Sequence, residues 1–450
     1  MKSSKISHEI LSLLISVLGL FMLSCSQQNL KAPRHFSQER DYSKSLLTVE
    51  EAATQSIEVH SALFGNGLRS KSIPQISSVE RIEPLLRSAD KSIGGVYVIN
   101  FKDNQGYVVL SENKYSSVPI VCACPTGNLD PNKPTENMNV IPVLMNTDAL
   151  LVAHYDDDRK RQLPDTLFTD TDGNVYTWED AMNKTRDVFG PWEIYSQEES
   201  LIQTHWYQSG NYSSYTPIIK GRHTPVGCAA VAVGQIMGFH NYPKFDWKLI
   251  IPDYNLEKEY CKSTIGTFLV DLGLPHNLNM NYALGGSGAD ISNVSRTFRN
   301  YNFSSGEPED YRWSVLELEF KNRRPVFMSG YEYRHERKKP KFLIWGGGTE
   351  IFYTGGHAWV LDGIRVLRRE VTAVRIMDSI PMYSYYQTRE LVHCNFGWGG
   401  LSDGYYVSEA FDTSTDPVMR SSEDNEKVEI IQGRENYFNY NLKMITGISK

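Results

Sequence analysis

The sequence predicts an α+β fold in which helices come first and an antiparallel sheet follows. Two helices are expected beyond residue 190, one beginning at Cys228 and one over 294–302. The last third alternates short β-rich runs with turns, as antiparallel strands do. Those runs cover 324–328, 358–361, 391–395 and 405–407. The length of 450 residues suggests two or three domains.

The N-terminus has the pattern of an export signal. Two lysines precede the apolar segment 10–23, which is too short to span a bilayer and typical of a signal peptide. The segment ends at Cys25 in a sequence that resembles a bacterial lipobox, so we expect a lipoprotein signal peptide over 1–24 and lipid on Cys25. A polar tether follows over 25–45. An ordinary cleaved signal with an incidental cysteine is the alternative. We expect the protein to be exported and anchored to a bacterial membrane, with the outer membrane favoured. Release after maturation is the other expected state.

Residues 46 to about 125 are expected to form a small α+β unit. Thr48 is a candidate N-cap for a helix that begins at Val49. Two β-rich runs, 96–101 and 107–110, flank a loop with the sequence Asp-Asn-Gln-Gly, which predicts a hairpin. The acidic, turn-rich sequence that follows, as far as 188, is interpreted as a solvated connector.

Charge and cysteine content limit the function classes. The net charge of −7 gives no electrostatic reason to expect a nucleic-acid partner. The basic run 334–341 is the main exception and is interpreted as a solvated loop. Cys122 and Cys124 form a single C-x-C pair on one face of a predicted strand, which we interpret as structural rather than metal-binding. We expect no metal and no cofactor.

Cys228 is the candidate nucleophile. It follows Gly227 at the head of an Ala- and Val-rich run that predicts a buried helix. A thiol at a helix N-terminus feels a partial positive charge, which lowers its pKa toward the thiolate. A buried core cysteine is the structural alternative.

Partners for such a nucleophile are present on both sides of it in the sequence. His357 follows two glycines at the start of a strand and would take the thiol proton. The Asn395 amide would hold the imidazole in one tautomer, and the Trp398 indole would shield that hydrogen bond from water. Upstream, the side chain of Gln208 would stabilise an oxyanion together with the backbone N–H of Cys228. Each residue alone also fits a structural role.

Taken together, these motifs resemble the streptopain-like family of papain-fold bacterial cysteine peptidases. The resemblance implies a papain-like peptidase domain over 189–450, with a helical part and an antiparallel sheet or barrel part. It also implies a small α+β inhibitory prodomain within a propeptide over 46–188. The matching motifs lie at 227–243, 272–288, 355–363 and from 395 onward.

The family resemblance also assigns roles to the candidate residues. Cys228 would be the nucleophile, and His357 the general base and later the general acid. Gln208 would be an oxyanion donor, while Asn395 and Trp398 would support the imidazole. A thiolate–imidazolium pair would form a thioester acyl-enzyme that water then hydrolyses. The expected substrates are proteins or peptides, and the propeptide of a zymogen would be the inhibitor until its removal by proteolysis.

Two departures from the family pattern leave alternatives open. Phe396 stands where the family usually has tryptophan, and 331–354 is interpreted as an insertion beside the His357 loop that overhangs the cleft or forms a lid. A catalytically impaired binding or inhibitor lipoprotein and a thiol acyltransferase are the alternative functions.

Overall fold

The computed structural model describes residues 46–65, 73–82, 95–114, 116, 118–130, 167–169, 175–177, 185–245, 259–338, 349–376, 378–411 and 440–450. The predicted signal peptide, Cys25 and the tether lie outside these residues. Within the described part of the chain, no helix is both long and apolar enough to cross a bilayer.

The predicted α+β fold class is confirmed. The helix at the candidate nucleophile is present, and the second predicted helix begins and ends two residues earlier than expected. Two further helices, over Glu259–Leu272 and Trp313–Lys321, were not predicted. The α-helices in the described part of the chain are α1 (Val49–Phe64), α2 (Cys228–Phe239), α3 (Glu259–Leu272), α4 (Ser292–Asn300) and α5 (Trp313–Lys321).

The first strands of the chain lie between α1 and α2. They are β1 (Ile76–Ile82), β2 (Val96–Phe101), β3 (Tyr107–Ser111), β4 (Ile120–Cys124), β5 (Leu167–Thr169), β6 (Val175–Thr177), β7 (Thr185–Phe189), β8 (Glu193–Glu198), β9 (Ile218–Ile219) and β10 (Arg222–His223). The remaining strands follow the helices and contain the four predicted runs, except that β11 begins at Val326 rather than at 324. They are β11 (Val326–Lys338), β12 (Thr349–Arg375), β13 (Pro381–Asn395), β14 (Gly404–Val407) and β15 (Tyr440–Ile445).

One strand, β12, organises the main sheet. Along one edge it pairs with β13, and along the other edge it pairs first with β11 and then with β8 and β7. The order across the sheet is β1-β2-β3-β4-β14-β13-β12-β11-β15. A register shift between Leu361 and Gly363 marks the point where β12 leaves β11 and meets β8. The carboxylate of Asp362 at this shift is fully buried, and it accepts hydrogen bonds from Ser200 Oγ and Ile202 N.

The described residues between 46 and 130 form one helix and four antiparallel strands, and the prediction that 46 to about 125 is a separate unit stays a prediction. Thr48 caps α1 through a complete capping box with Glu51, as the sequence predicts. The predicted hairpin is present as β2 and β3, and Asp103 and Asn104 in its loop adopt φ values of 57° and 58°. Short polar side chains of this type tolerate the left-handed region better than most residues.

This N-terminal unit shares its sheet and its core with the rest of the protein. Strand β4 pairs with β14 through Ala123 opposite Tyr405 and Cys122 opposite Tyr406. A Cβ atom at Gly404 would lie 2.5 Å from the carbonyl oxygen of Ala123, so this close approach requires glycine. A single hydrophobic cluster contains side chains from β2–β4 as well as from β12–β14.

Two expectations about loops change with the structure. Residues 334–338 of the basic run belong to β11, which pairs with 349–354 of β12, so the interpretation of a solvated loop is wrong there. The described part of the predicted insertion is therefore a two-stranded arm that extends β11 and β12, the strand that contains His357. The predicted boundary between 188 and 189 falls inside β7, which pairs with β12.

Candidate active site

Cys228 is the first residue of α2, and the backbone before it is held in an unusual conformation. Gly227 has φ 92°, and a Cβ atom there would lie 2.8 Å from Met280 Sδ and from the Ser287 carbonyl oxygen. Only glycine fits both constraints. Beyond the cysteine, Ala229 through Gly238 are all buried, as the apolar run predicts.

The thiol of Cys228 is partly buried, and backbone groups surround it. Burial raises the pKa of Cys228, while hydrogen bonds from the backbone of Ala358, Ala229 and Cys228 itself act in the opposite direction. Two of these donors, Ala229 and Cys228, belong to the first turn of α2, but burial outweighs their effect. The prediction of a net lowered pKa is wrong in this structure.

His357 lies on β12, next to Ala358, and its ring is nearly inaccessible to solvent. Its Nε2 atom lies 3.0 Å from the carbonyl oxygen of Phe396. Because a carbonyl oxygen only accepts, Nε2 must carry the hydrogen, which leaves the lone pair of a neutral imidazole on Nδ1. Burial lowers the pKa of His357 to about 3, partly opposed by the Phe396 hydrogen bond. The ring is thus a neutral imidazole at ordinary pH.

Aromatic rings enclose this imidazole. The Trp398 ring is stacked on it with centroids 4.4 Å apart, and Trp359 and Phe396 lie nearly parallel to it at 6.0 and 6.3 Å. The Trp398 indole thus lies directly against the His357 ring, and its predicted role in supporting the imidazole stays a prediction. Phe396 supplies a backbone carbonyl to the imidazole, so an indole N–H at this position is not needed to hold Nε2.

The side chain of Asn395 makes its hydrogen bonds away from His357 Nε2. Its Nδ2 donates to the Thr204 carbonyl at 2.8 Å, and its Oδ1 accepts from Gln235 Nε2 at 2.9 Å and from Gly397 N at 3.2 Å. The structure thus places Asn395 one step from the imidazole, where it holds the turn that contains Phe396. This differs from the expected direct contact between its amide and the ring.

Gln208 lies beside the backbone that leads to Cys228. Its backbone carbonyl accepts a hydrogen bond from Val226 N at 2.9 Å, two residues before Cys228. The side chain is half-buried. This position is compatible with an oxyanion donor, and that role stays a prediction.

Several buried polar residues near the site were not predicted from the sequence. Asp403 accepts from Phe396 N at 2.9 Å and lies 3.1 Å from His205 Nδ1. His393 Nδ1 lies 2.6 Å from Asp362, and although burial acts the other way, Asp362 and Asp403 raise the pKa of His393. Gln235 is a further buried amide at the site. Its only sequence signal is that it is polar within an apolar helical run.

The arm formed by β11 and β12 begins next to the site. Tyr331 pairs with Gly356, and a Cβ atom on that glycine would lie 3.0 Å from the Tyr331 ring. Burial raises the pKa of Tyr331, with smaller contributions from Asp290 and Cys228. Among the described residues, no group of three or more His, Cys, Asp or Glu side chains could hold a metal ion.

Residues 206–246 and 244–406 match the model of the Peptidase C10 family. Over this stretch, the chain resembles the Peptidase C10 family. The resemblance to streptopain-like cysteine peptidases is thereby confirmed. Gln208, Cys228, His357, Asn395 and Trp398 all lie within the matched region.

Known relatives agree with this assignment. Streptopain from Streptococcus pyogenes serotype M1 is 23% identical over 261 residues, which are 47% of this chain and 54% of the streptopain. Another Streptococcus pyogenes streptopain is 24% identical over 257 residues, with the same two shares. The chain therefore spans about half the length of these relatives.

Two solved structures from Prevotella intermedia are similar to this one. A fragment of prointerpain A superposes with a TM-score of 0.43 at 14% identity, covering 83% of this chain and 99% of the fragment. Active wild-type interpain A cysteine protease gives a TM-score of 0.36 at 18% identity, covering 57% of this chain and 97% of that one.

The buried imidazole is expected to make folding stability sensitive to acid. The pKa of His357 is about 3 in the folded protein against 6.5 for an unperturbed histidine, so the unfolded chain binds the proton first as the pH falls. As the pH falls from 6.5 to 3, protonation of His357 in the unfolded chain should lower the free energy of unfolding by up to about 1.4 kcal/mol for each pH unit. Urea unfolding of wild type and His357→Phe from pH 7.5 to 4 measures this. The wild type should lose more stability than the variant, and parallel curves would contradict the assignment.

Proposed function

We propose that the chain is a cysteine endopeptidase that hydrolyses peptide bonds with Cys228 and His357. One observation carries the proposal. The Phe396 carbonyl holds the proton of a neutral His357 on Nε2, which leaves Nδ1 as the base. A backbone hydrogen bond from Ala358, the residue after His357, reaches the Cys228 sulfur and supports the proximity of the two groups.

The reaction proceeds by acyl transfer to the thiol. Cys228 Sγ attacks the substrate carbonyl carbon while its proton moves to His357 Nδ1, which gives a tetrahedral oxyanion and an imidazolium. The backbone N–H of Cys228 and the Gln208 side chain donate to the oxyanion. The imidazolium protonates the leaving amine, and the C–N bond breaks to give a thioester. Water, deprotonated by His357, attacks the thioester and releases the acid and the thiol.

The protonation states before the reaction differ from a preformed ion pair. Burial raises the pKa of Cys228 and lowers that of His357, and both shifts favour the neutral thiol and imidazole. In the proposed reaction, the thiolate–imidazolium state therefore arises as the proton moves, with Trp398 stacked against the ring that becomes charged.

Cys228→Ala should reduce hydrolysis of a diverse peptide pool by at least about a thousandfold, because the covalent step is lost. Labelling by a thiol-directed epoxide should disappear as well. Mass spectrometry of the peptide pool reads both the rates and the cleavage sites. Cys122→Ala, which removes another buried cysteine, is the matched control and should retain activity. Full hydrolysis by the Cys228→Ala protein, or no hydrolysis by the wild type, would contradict the proposal. The protein would then be a binding protein or an enzyme with a different chemistry.

We further propose that the protein is an exported, lipid-anchored zymogen and that residues 46–130 are the inhibitory part of its propeptide. The sequence before residue 46 supports export and lipid on Cys25. Mass spectrometry of the N-terminal peptide, with Cys25→Ala for comparison, tests the anchor. Pairing of β4 with β14 and the shared hydrophobic cluster support tight docking of residues 46–130 on the peptidase part.

Arginines of the peptidase part support this docking because they bind backbone carbonyls of the N-terminal unit. Arg365 Nη1 donates to the Leu63 carbonyl in the last turn of α1, and its guanidinium lies 5.0 Å from the centre of the Tyr405 ring. Arg389 Nη2 donates to the Ser116 carbonyl at 3.2 Å. A cation at a helix C-terminus also interacts favourably with the helix dipole.

Arg369 is a third such residue, and it is almost completely buried. Its guanidinium lies between the rings of Phe189 and Trp192, at 4.3 and 4.6 Å from their centres. Its Nη2 reaches the Lys114 carbonyl at 3.5 Å. Burial and the nearby Arg389 lower the pKa of Arg369 to about 9. Three arginines thus donate hydrogen bonds to backbone carbonyls within residues 46–130.

The N-terminal unit also contacts the loop that positions His357. Cys124 Sγ lies 3.6 Å from the carbonyl oxygen of Ser402. The next residue, Asp403, accepts the hydrogen bond from Phe396 N. A docked propeptide therefore supports one side of the turn that supplies the acceptor for His357, which gives it a physical route to influence activity.

Arg365→Met should loosen the docked unit, since the hydrogen bond of a charged donor is worth about 1.5–3 kcal/mol. Hydrogen exchange of α1 should accelerate by about tenfold or more in the full chain, and Cys228-dependent activity should appear earlier. Exchange of α2 should stay unchanged. Arg368→Met is the matched control, because Arg368 is on the same strand but contacts Glu193, Tyr195 and Tyr386 of the peptidase part. Equal exchange of α1 in both variants and the wild type would contradict the docking role.

A further inference from the structure

Gln235 is a completely buried polar side chain in the helix that begins at Cys228. It lies about two turns beyond the nucleophile, in a segment whose other side chains are Ala, Val, Ile and Met. A buried amide has to find hydrogen-bond partners, because leaving its groups unpaired costs free energy. Its partners show which parts of the site it connects.

The amide of Gln235 links three separate segments. Its Oε1 accepts from Thr204 Oγ1 at 3.0 Å and from Trp206 N at 3.2 Å. Its Nε2 donates to Asn395 Oδ1 at 2.9 Å. Helix α2, the segment before Gln208 and the end of β13 are thereby joined through one side chain.

From these contacts we infer that Gln235 is a positioning residue for the His357 imidazole. Gln235 fixes Asn395 Oδ1, and this oxygen also accepts a hydrogen bond from Gly397 N. The residue between Asn395 and Gly397, Phe396, is thereby held within the turn. The carbonyl of Phe396 in turn receives the hydrogen bond from His357 Nε2. Gln235 touches no reacting atom and acts only through this sequence of hydrogen bonds. The inference rests on the proposed peptidase activity.

The contacts require an amide at position 235. One end of the side chain must accept from two donors, and the other end must donate to Asn395 Oδ1. Asn395 cannot rotate its amide to adapt, because its Nδ2 is already bonded to the Thr204 carbonyl at 2.8 Å and Gly397 N needs an acceptor. An ionised carboxylate in place of the Gln235 amide would face the Asn395 oxygen with no hydrogen between them.

The same side chain also fixes the segment on the oxyanion side. Trp206 N, bonded to Gln235, lies two residues before Gln208, and Trp206 O accepts from Gly399 N at 3.0 Å. Both the base and the predicted oxyanion donor thus depend on one buried amide. Since these groups act in the chemical step, loss of Gln235 should lower kcat far more than it raises KM.

Gln235→Glu provides the test, because protonation of the introduced carboxyl restores a donor. Burial raises the pKa of such a carboxyl, so it should be protonated at mildly acidic pH. We expect kcat to fall by about tenfold or more at pH 8 and to recover partly at pH 5.5, with KM changed by less than about threefold. Gln235→Met, which has no donor at any pH, should lose activity without that recovery.

Asn277→Asp is the matched control for charge at a buried amide. Asn277 is also buried, and its Nδ2 bonds to the Asp271 carbonyl and to the Tyr301 hydroxyl, away from Cys228 and His357. It should lower thermal stability without the pH-dependent change in kcat. Thr204→Val removes only one hydrogen bond to Gln235 and should lower kcat less than Gln235→Glu does. This variant replaces Gln235→Glu as the test if Gln235→Glu does not fold.

The rate at which iodoacetamide alkylates Cys228 is measured on the same proteins and needs no substrate. Its dependence on pH should differ between wild type and Gln235→Glu, because the orientation of His357 changes. An unchanged pH dependence of both alkylation and kcat would overturn the inference while leaving the proposed function intact. Absence of Cys228-dependent turnover in the wild type would instead overturn the proposed function, and alkylation would still test Gln235.

Discussion

The hydrogen bond from His357 Nε2 to the Phe396 carbonyl is the interaction on which the rest of the site depends. It decides which ring nitrogen carries the hydrogen and therefore which one can accept a proton from a thiol. A backbone carbonyl serves this purpose as well as a side-chain amide does, provided that the backbone is held in place. The surrounding polar residues satisfy this condition, since Asn395, Asp403 and Gln235 all bond to the turn or to one another.

The fold places these groups together through one long strand. His357 lies on β12 where β11 is its neighbour, and Asp362 follows where that edge passes to β8. β13 on the other edge ends at Asn395, so the end of that strand and the turn after it reach the imidazole. Through β14, the same sheet continues into the N-terminal unit. The N-terminal unit and the turn that contains Phe396 are thus connected through adjacent strands of one sheet.

Local patterns were sufficient to predict the elements that contain the site. Gly227 before an apolar run predicts the start of α2, and the Asp-Asn loop predicts the hairpin of β2 and β3. The partners of Asn395 and Gln235 could not be predicted, because they lie far apart in sequence and depend on distances of a few ångströms. The charged side chains of residues 334–338 favour a solvated loop, whereas the backbone of these residues pairs with residues 349–354. The net pKa of Cys228 depends on burial, which local sequence does not determine.

The protonation state of His357 in the folded full-length protein is the most direct test of this account. Nitrogen-15 spectra of histidine-labelled protein, assigned by comparison with His357→Phe, distinguish the two neutral tautomers from the imidazolium. The account predicts a neutral ring with its hydrogen on Nε2 from pH 8 down to pH 5, because burial lowers its pKa to about 3. A hydrogen on Nδ1, or an imidazolium at neutral pH, would contradict it.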